Sequence, residues 1–254
     1  SIVTSSFKNS LNTANNTAMG VVRILNAIKK SKKEIKFYQA TTSEIFGDSN
    51  KKFQNENSSY NPKNPYAISK LFAHLMTKNY RENYNMYAVS GILFNHESPL
   101  RGKEFVTKKI VNGLVNILNN KKKVLKVGNL DAKRDWGYAK DYVKVMWKMM
   151  QQKKPEDFII SSGKAYSVKY FIDLTLKYLK INGKWIGKNN ERKFVNNENK
   201  TIIEISPKLI RKNDYKLLIG DSSKAKRFLK WKPKTNIHKL VKIMINEEKI
   251  INNL

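Results

Sequence analysis

Short apolar runs alternate with amphipathic stretches over the first hundred residues. Met19 to Ile28 repeats apolar positions at helical spacing, which predicts a helix there. Ile35 to Ala40 follows as a short strand that leads into Thr42-Ser43-Glu44. Asn61-Pro62 and Asn64-Pro65 then mark a polar loop. Pro65 suits the first position of a helix, and Ile68, Leu71, Phe72, Leu75 and Met76 recur on one face beyond it. Tyr87 to Phe94 is a second strand, delivering Asn95-His96-Glu97. Such alternation predicts an α/β chain with a parallel, doubly wound sheet. Ligands of these sheets sit beyond the carboxyl ends of the strands, where Thr42, Ser43, Glu44, Asn95 and His96 fall.

Past residue 100 the pattern loosens. Helices are expected at 105–118, 141–150, 168–179 and 222–229, and a last amphipathic one carries Ile237, Leu240, Val241 and Met244. Strands are expected at 124–127 and 158–160, and residues 182–201, rich in Asn and Lys, read as loop or a short hairpin. No internal repeat is visible.

Composition narrows the function classes. At 254 residues the chain can bury a sizeable core as one large or two modest domains. It has no cysteine, hence no disulfide framework or thiolate metal site, which fits a reducing compartment and predicts a cytoplasmic protein. No apolar run approaches the roughly 20 residues that cross a bilayer. A net charge of +30 invites a nucleic-acid or anionic-membrane reading. Only seven of the 50 basic residues are arginine, however, and the excess is lysine accompanied by Asn and Ile, as an A+T-rich coding sequence would produce. A solvated lysine surface is the expectation, with neither nucleic acid nor membrane as partner. Three scattered histidines make no metal site, and His74 and His238 are expected to be structural.

Tyr66 and Lys70, four apart, share one helix face, so an ammonium can lie beside a phenol. That placement is expected to favour the phenolate and lower the phenol pKa from about 10. A phenolate near neutral pH can take a proton from a sugar hydroxyl while hydride leaves the same carbon.

Around this pair, four stretches occur in order: Phe37 to Glu44, Asn64 to Lys70, Gly91 to Pro99 and Gly128 to Gly137. Together they closely resemble the GDP-mannose 4,6-dehydratase family, of the extended short-chain dehydrogenase/reductase superfamily. The likeness runs from Ser1 to about His238 and is strongest from Phe37 to Tyr142. It implies a Rossmann-like doubly wound sheet with its N-terminal part missing, and a smaller α/β substrate-binding domain. On that basis residues 1–100 are the rest of the cofactor domain. Residues 101–254 are mainly the substrate domain, with some segments returning to the first.

The resemblance further implies an NADP-dependent lyase that converts GDP-mannose to GDP-4-dehydro-6-deoxy-mannose and water, on the path to GDP-fucose. Oxidation at C4 would acidify C5–H, the C6 hydroxyl would leave as water, and hydride would return to C6. Thr42, Glu44, Tyr66 and Lys70 are then catalytic, with Tyr66 the base at the C4 hydroxyl, Glu44 the base at C5 and Thr42 the partner of the C4 oxygen. Ser1, Tyr66, Lys70, His96 and Arg101 would contact NADP. Ser43, Asn95, Lys109, Arg134, Arg211 and Asp214 would contact the nucleotide sugar, since a diphosphate needs cations and arginine grips phosphate bidentately. Homo-oligomers, dimers or tetramers, are implied as well.

The chain departs from the family in places. Ile2, Asn12, Leu100, Lys212 and Asp214 stand where the family commonly has His, Tyr, Arg, Pro and Glu. No G-x-G-x-x-G occurs. Ser1 aligns roughly a hundred residues past the family's usual start, beyond the Gly-rich turn whose N–H groups meet the pyrophosphate. An incomplete gene record is the simplest account, a truncated or degenerate product the alternative. Residues 1–254 alone are expected to bind NADP weakly. The competing readings are another dehydratase or epimerase of the superfamily, or a non-catalytic basic interaction protein.

Overall fold

The computed structural model describes residues 3–48, 52–210 and 217–252. Helices α1 (Val3–Lys8) and α2 (Ser10–Thr13) run through a π-helical turn, Ala14–Met19, into α3 (Gly20–Ser31), which Lys32 ends in the left-handed conformation. β1 (Phe37–Thr42), α4 (Pro65–Tyr84), β2 (Ala88–Leu93) and β3 (Asn95–Glu97) follow. Next come α5 (Val106–Leu118), β4 (Leu125–Val127), β5 (Lys133–Tyr138), α6 (Ala139–Met150), β6 (Phe158–Ile160), β7 (Ala165–Ser167) and α7 (Val168–Leu179). The chain then forms β8 (Gly183–Ile186), β9 (Lys193–Asn196), β10 (Thr201–Ile205), β11 (Leu217–Leu218), α8 (Ser223–Leu229) and α9 (Ile237–Ile251).

The first sheet has the order β1-β2-β6, all parallel, with Thr42 beside Leu93 and Leu93 beside Ile160. Every residue of β2 is buried, as expected of a central parallel strand covered on both faces. Alternate side chains serve opposite layers. Val89 and Leu93 pack with Tyr142, Val145 and Met149 of α6, whereas Ala88 packs with Leu25 of α3 and Tyr80 of α4. The predicted doubly wound α/β sheet is therefore present. One residue past β2 the chain enters β3, which pairs with β5 in a second sheet of order β11-β5-β3, with β7 antiparallel to β5. A third sheet, β4-β10-β9-β8, packs with α5, α7 and α9 around the largest apolar core.

Three elements differ from expectation. Along α4, Ile68, Phe72 and Leu75 are 54%, 41% and 47% exposed, whereas Leu71 and Met76 pack against the core as expected, beside an inner face of Ala67, Ala73, His74, Thr77 and Tyr80. Small residues there let the helix approach β1 and β2 closely. Residues 182–201 take the hairpin alternative and exceed it: β8 and β9 pair antiparallel, β10 extends them to a three-stranded ribbon, and an edge-on Trp185–Phe194 pair at 5.5 Å clamps it. β5, with the sequence Lys-Arg-Asp-Trp-Gly-Tyr, has no apolar run to announce it. It can bury Asp135 because the carboxylate accepts the backbone N–H groups of Ser162 and Gly163, both at 2.8 Å.

Candidate active site

β1 ends at Thr42, and the chain tightens into a 3₁₀ turn over Ser43–Phe46. The Thr42 hydroxyl caps that turn by accepting the Glu44 backbone N–H at 3.3 Å. Ser43 is buried beneath it. The loop from Gly47 returns to Asn64, which starts α4 by accepting the Ala67 N–H on Oδ1 at 2.8 Å. Tyr66 thus lies in the first turn of α4, where unpaired N–H groups leave a partial positive charge. Its phenol is hydrogen-bonded to Thr42 and feels the charges of Glu44 and Arg101. The Asn64 amide donates to Glu44 Oε2 at 2.9 Å. Thr42, Glu44 and Tyr66, singled out for chemistry, are therefore brought together at the carboxyl end of β1.

The effect expected of Lys70 on the Tyr66 phenol is not found. Its ammonium donates to the Ala40 carbonyl at 2.8 Å and lies 5.9 Å from the centroid of the Tyr66 ring. The Tyr66 phenol is not pulled below its ordinary range. Burial pushes it up and the Glu44 charge adds to that, against opposing help from Thr42 and Arg101. Burial also holds the Lys70 ammonium below its ordinary pKa.

Asn95 and His96 lie in β3, just past the carboxyl end of β2. The His96 ring stacks on Tyr142 at 5.1 Å, and its Nδ1–H donates to the Phe94 carbonyl at 3.0 Å, leaving Nε2 as an acceptor. Burial lowers its pKa, aided by the nearby Arg101 cation and opposed by the Phe94 carbonyl. Arg101 lies over the face of Phe105, 3.6 Å from the ring centroid, with Nε 3.1 Å from Glu97. Glu97 is buried and also accepts the Thr107 hydroxyl at 2.6 Å. Burial raises its pKa although Arg101 and Thr107 pull the other way.

The remaining predicted contacts are carried by other elements. Lys109 is in the first turn of α5, its pKa lowered by burial and by the like charge of Lys122. Arg134 is in β5 between Leu218 and Tyr166, and donates to the Lys133 carbonyl at 2.8 Å. Ser1, Arg211 and Asp214 lie outside the described residues. His74 and His238 are engaged by tyrosines, His74 with Tyr60 at 3.0 Å and His238 with Tyr178 at 2.9 Å. Among the described residues no His, Asp or Glu cluster could hold a metal, and no helix is long and apolar enough to cross a membrane. Asn64 and Glu97 escaped the sequence reading, although each stood inside a quoted stretch. Asn before Pro at a helix start, and Glu four residues before Arg, were the available signals.

A family model described as GDP-mannose 4,6 dehydratase matches residues 1–244. The chain belongs to that family. It is 42% identical over 246 residues to a GDP-mannose 4,6 dehydratase of Dictyostelium discoideum, which covers 96% of this chain and 69% of that protein. Against the human protein of that name it is 41% identical over 239 residues, 93% of this chain and 64% of its relative. Among solved structures, RMD from Pseudomonas aeruginosa complexed with NADPH superposes with a TM-score of 0.85 at 17% identity, covering 98% of this chain and 78% of that one. A UDP-glucose 4-epimerase from Thermotoga maritima gives 0.81 at 20% identity, covering 98% and 74%. These two share the fold.

Proposed function

We propose that this site eliminates water from GDP-mannose to give GDP-4-dehydro-6-deoxy-mannose, as an NADP-dependent lyase. The observation that carries this reading is that the Glu44 carboxylate is near enough to the Tyr66 phenol to act on its charge, with Thr42 hydrogen-bonded to the phenol and to the Glu44 backbone N–H, at the carboxyl end of the parallel strand β1. Tyr66 takes the proton of the C4 hydroxyl as a phenolate, a form that Arg101, the Thr42 hydrogen bond and the positive ring of bound NADP would favour against burial. Thr42 donates to the C4 oxygen as charge develops there. Once C4 is a ketone, the C5–H is acidic. Glu44 removes that proton, and the C6 hydroxyl leaves as water with a proton returned from the carboxyl group. C5 is then reprotonated from solvent as hydride would return to C6, and Tyr66 releases the C4 hydroxyl proton to solvent, so that one water is the net loss.

Bound NADP would supply the oxidant at C4 and the reductant at C6. The residues present fit its nicotinamide end. Lys70 has further N–H groups beyond the one given to Ala40, and the Arg101 guanidinium, held on Glu97 through Nε, keeps about a quarter of its side chain exposed. His96 offers Nε2 as an acceptor. Lys109, Arg134, Arg211 and Asp214 are our assignments for the GDP portion, with Ser43 and Asn95 at the sugar, and Ser1 at the cofactor. Residues 1–100 with α6, β6 and α8 would form the cofactor domain, and the rest of 101–254 the substrate domain. The strip of Ile68, Phe72 and Leu75 on α4 suits a second copy of the chain, hence a homo-oligomer. A chain without cysteine also suits the cytoplasm.

The decisive experiment offers the purified chain GDP-mannose, dTDP-glucose or UDP-glucose with NADP in large excess, as the weak binding expected of residues 1–254 requires, and follows release of the 4-keto product. Formation from GDP-mannose alone, abolished by Glu44→Gln, is the expected result. Turnover of a different nucleotide sugar would assign the chain to another branch of the superfamily. Full activity in Glu44→Gln would remove the proposed base.

A further inference from the structure

Asn64 holds two ends of the site at once. It is 6% exposed and extended (φ −147°, ψ 157°), the conformation that a following proline favours. Its Oδ1 accepts the Ala67 N–H at 2.8 Å, closing the first turn of α4. An amide has one oxygen and one NH₂ group, so giving the oxygen to the helix fixes which way the NH₂ points. It points to Glu44, and Nδ2 donates to Oε2 at 2.9 Å. Tyr66 is two residues further along the same helix. The orientation of the carboxylate is therefore set by the helix that carries the phenol.

We propose that Asn64 is the positioning residue for Glu44: its amide ties Oε2 to the start of α4 and presents Oε1 to the substrate's C5–H. The inference rests on the reading of Glu44 as the base. A serine or aspartate could cap α4 as well as asparagine, but aspartate has no N–H to give. A cap alone and a cap that also aims Glu44 therefore make different predictions.

The first measurement needs no turnover. In the uniformly ¹⁵N-labelled 254-residue chain, Glu44→Gln should shift the Asn64 side-chain amide signals while the Ala67 backbone amide stays in place. The second compares Asn64→Asp, which keeps the cap acceptor and loses the donor, with the unaltered chain. Solvent deuterium should enter C5 about tenfold more slowly, as expected when a hydrogen bond to a charged group is lost, with KM unchanged. An Asn64 amide that ignores Glu44→Gln, or unchanged C5 exchange in Asn64→Asp, would overturn the inference while leaving Glu44 as base. Persistent water elimination in Glu44→Gln would instead sink the reading on which it rests.

Discussion

The region of β1, β2 and α4 and the region built on α5, α7 and α9 solve the burial of charge in different ways. In the first, the polar groups of the site are tied to backbone or to a helix start. Thr42 caps a turn, Asn64 caps α4, and Lys70 bonds the Ala40 carbonyl. In the second, beside the large apolar core, Lys108 Nζ and Glu248 Oε2 form a buried ion pair at 2.5 Å, with side chains only 5% and 2% exposed. Asn112 completes it by donating to Glu248 Oε1 at 2.5 Å. Charge in the first region is placed where a substrate can reach it; in the second it joins two helices. Substitutions should therefore cost activity in one and stability in the other.

Glu44→Gln tests the first half of that contrast and carries the largest expected effect. Removing a general base lowers kcat by about a thousandfold, and thermal unfolding should stay close to that of the unaltered chain. A parallel collapse in stability would show that Glu44 is structural. Glu248→Ala tests the second half. It strands the Lys108 ammonium in an apolar core, which costs about 3–5 kcal/mol. Lys108→Met combined with Glu248→Leu should recover most of that loss, because no buried charge is left unpaired. Denaturant titration of the two variants measures the difference.

Arg81 and Asp157 sharpen the comparison, since this pair is structural but lies in the first region. The guanidinium grips both carboxylate oxygens at 2.8 Å, and Asp157 Oδ1 also accepts the Ser90 N–H of β2 at 2.7 Å. Burial pushes the Asp157 carboxyl up, but Arg81 more than offsets it, and its pKa ends below the ordinary value. The folded state thus binds this proton more weakly than the unfolded chain. The pair's stabilisation is present above the unfolded carboxylate pKa of about 4 and is lost as pH falls through the folded value. Arg81→Met should cost about 2 kcal/mol at neutral pH, less than a fully buried pair because both side chains keep some water contact. The curves of variant and unaltered chain should converge below pH 4. A gap that persists in acid would mean that packing, not charge, carries the effect.

How much of this could be read from the chain follows the same division. The strand–helix alternation up to Glu97 announced the parallel sheet, because buried parallel strands are short apolar runs and Pro65 marks a helix start. Thr42, Glu44 and Tyr66 were recognisable from their motifs, and the structure joins them. The electrostatics were not legible. The spacing of Tyr66 and Lys70 says that two groups share a face, but not that the ammonium will choose the Ala40 carbonyl or that burial will dominate the phenol. β5 stayed hidden because its buried Asp135 takes its partners, Ser162 and Gly163, from more than two dozen residues away. The hairpin of β8 and β9 was one of two readings of a polar stretch, and its extension by β10 stayed hidden because polar turns outnumber apolar positions there.

The smallest expected effect concerns α4, where periodicity picked the large residues and the sheet picked the small ones. Leu75 is 47% exposed, and Leu75→Gln should change the unfolding free energy by no more than about 0.5 kcal/mol in dilute solution. Ala73, two residues away and fully buried, faces the sheet side; Ala73→Leu should cost about 1–3 kcal/mol by overpacking. If a second copy covers the strip of Ile68, Phe72 and Leu75, sedimentation should show Leu75→Gln shifting the chain toward monomer while Ala73→Leu does not. Equal stability losses in both variants would mean that α4 packs evenly all round, and the assignment of an outer face would fail.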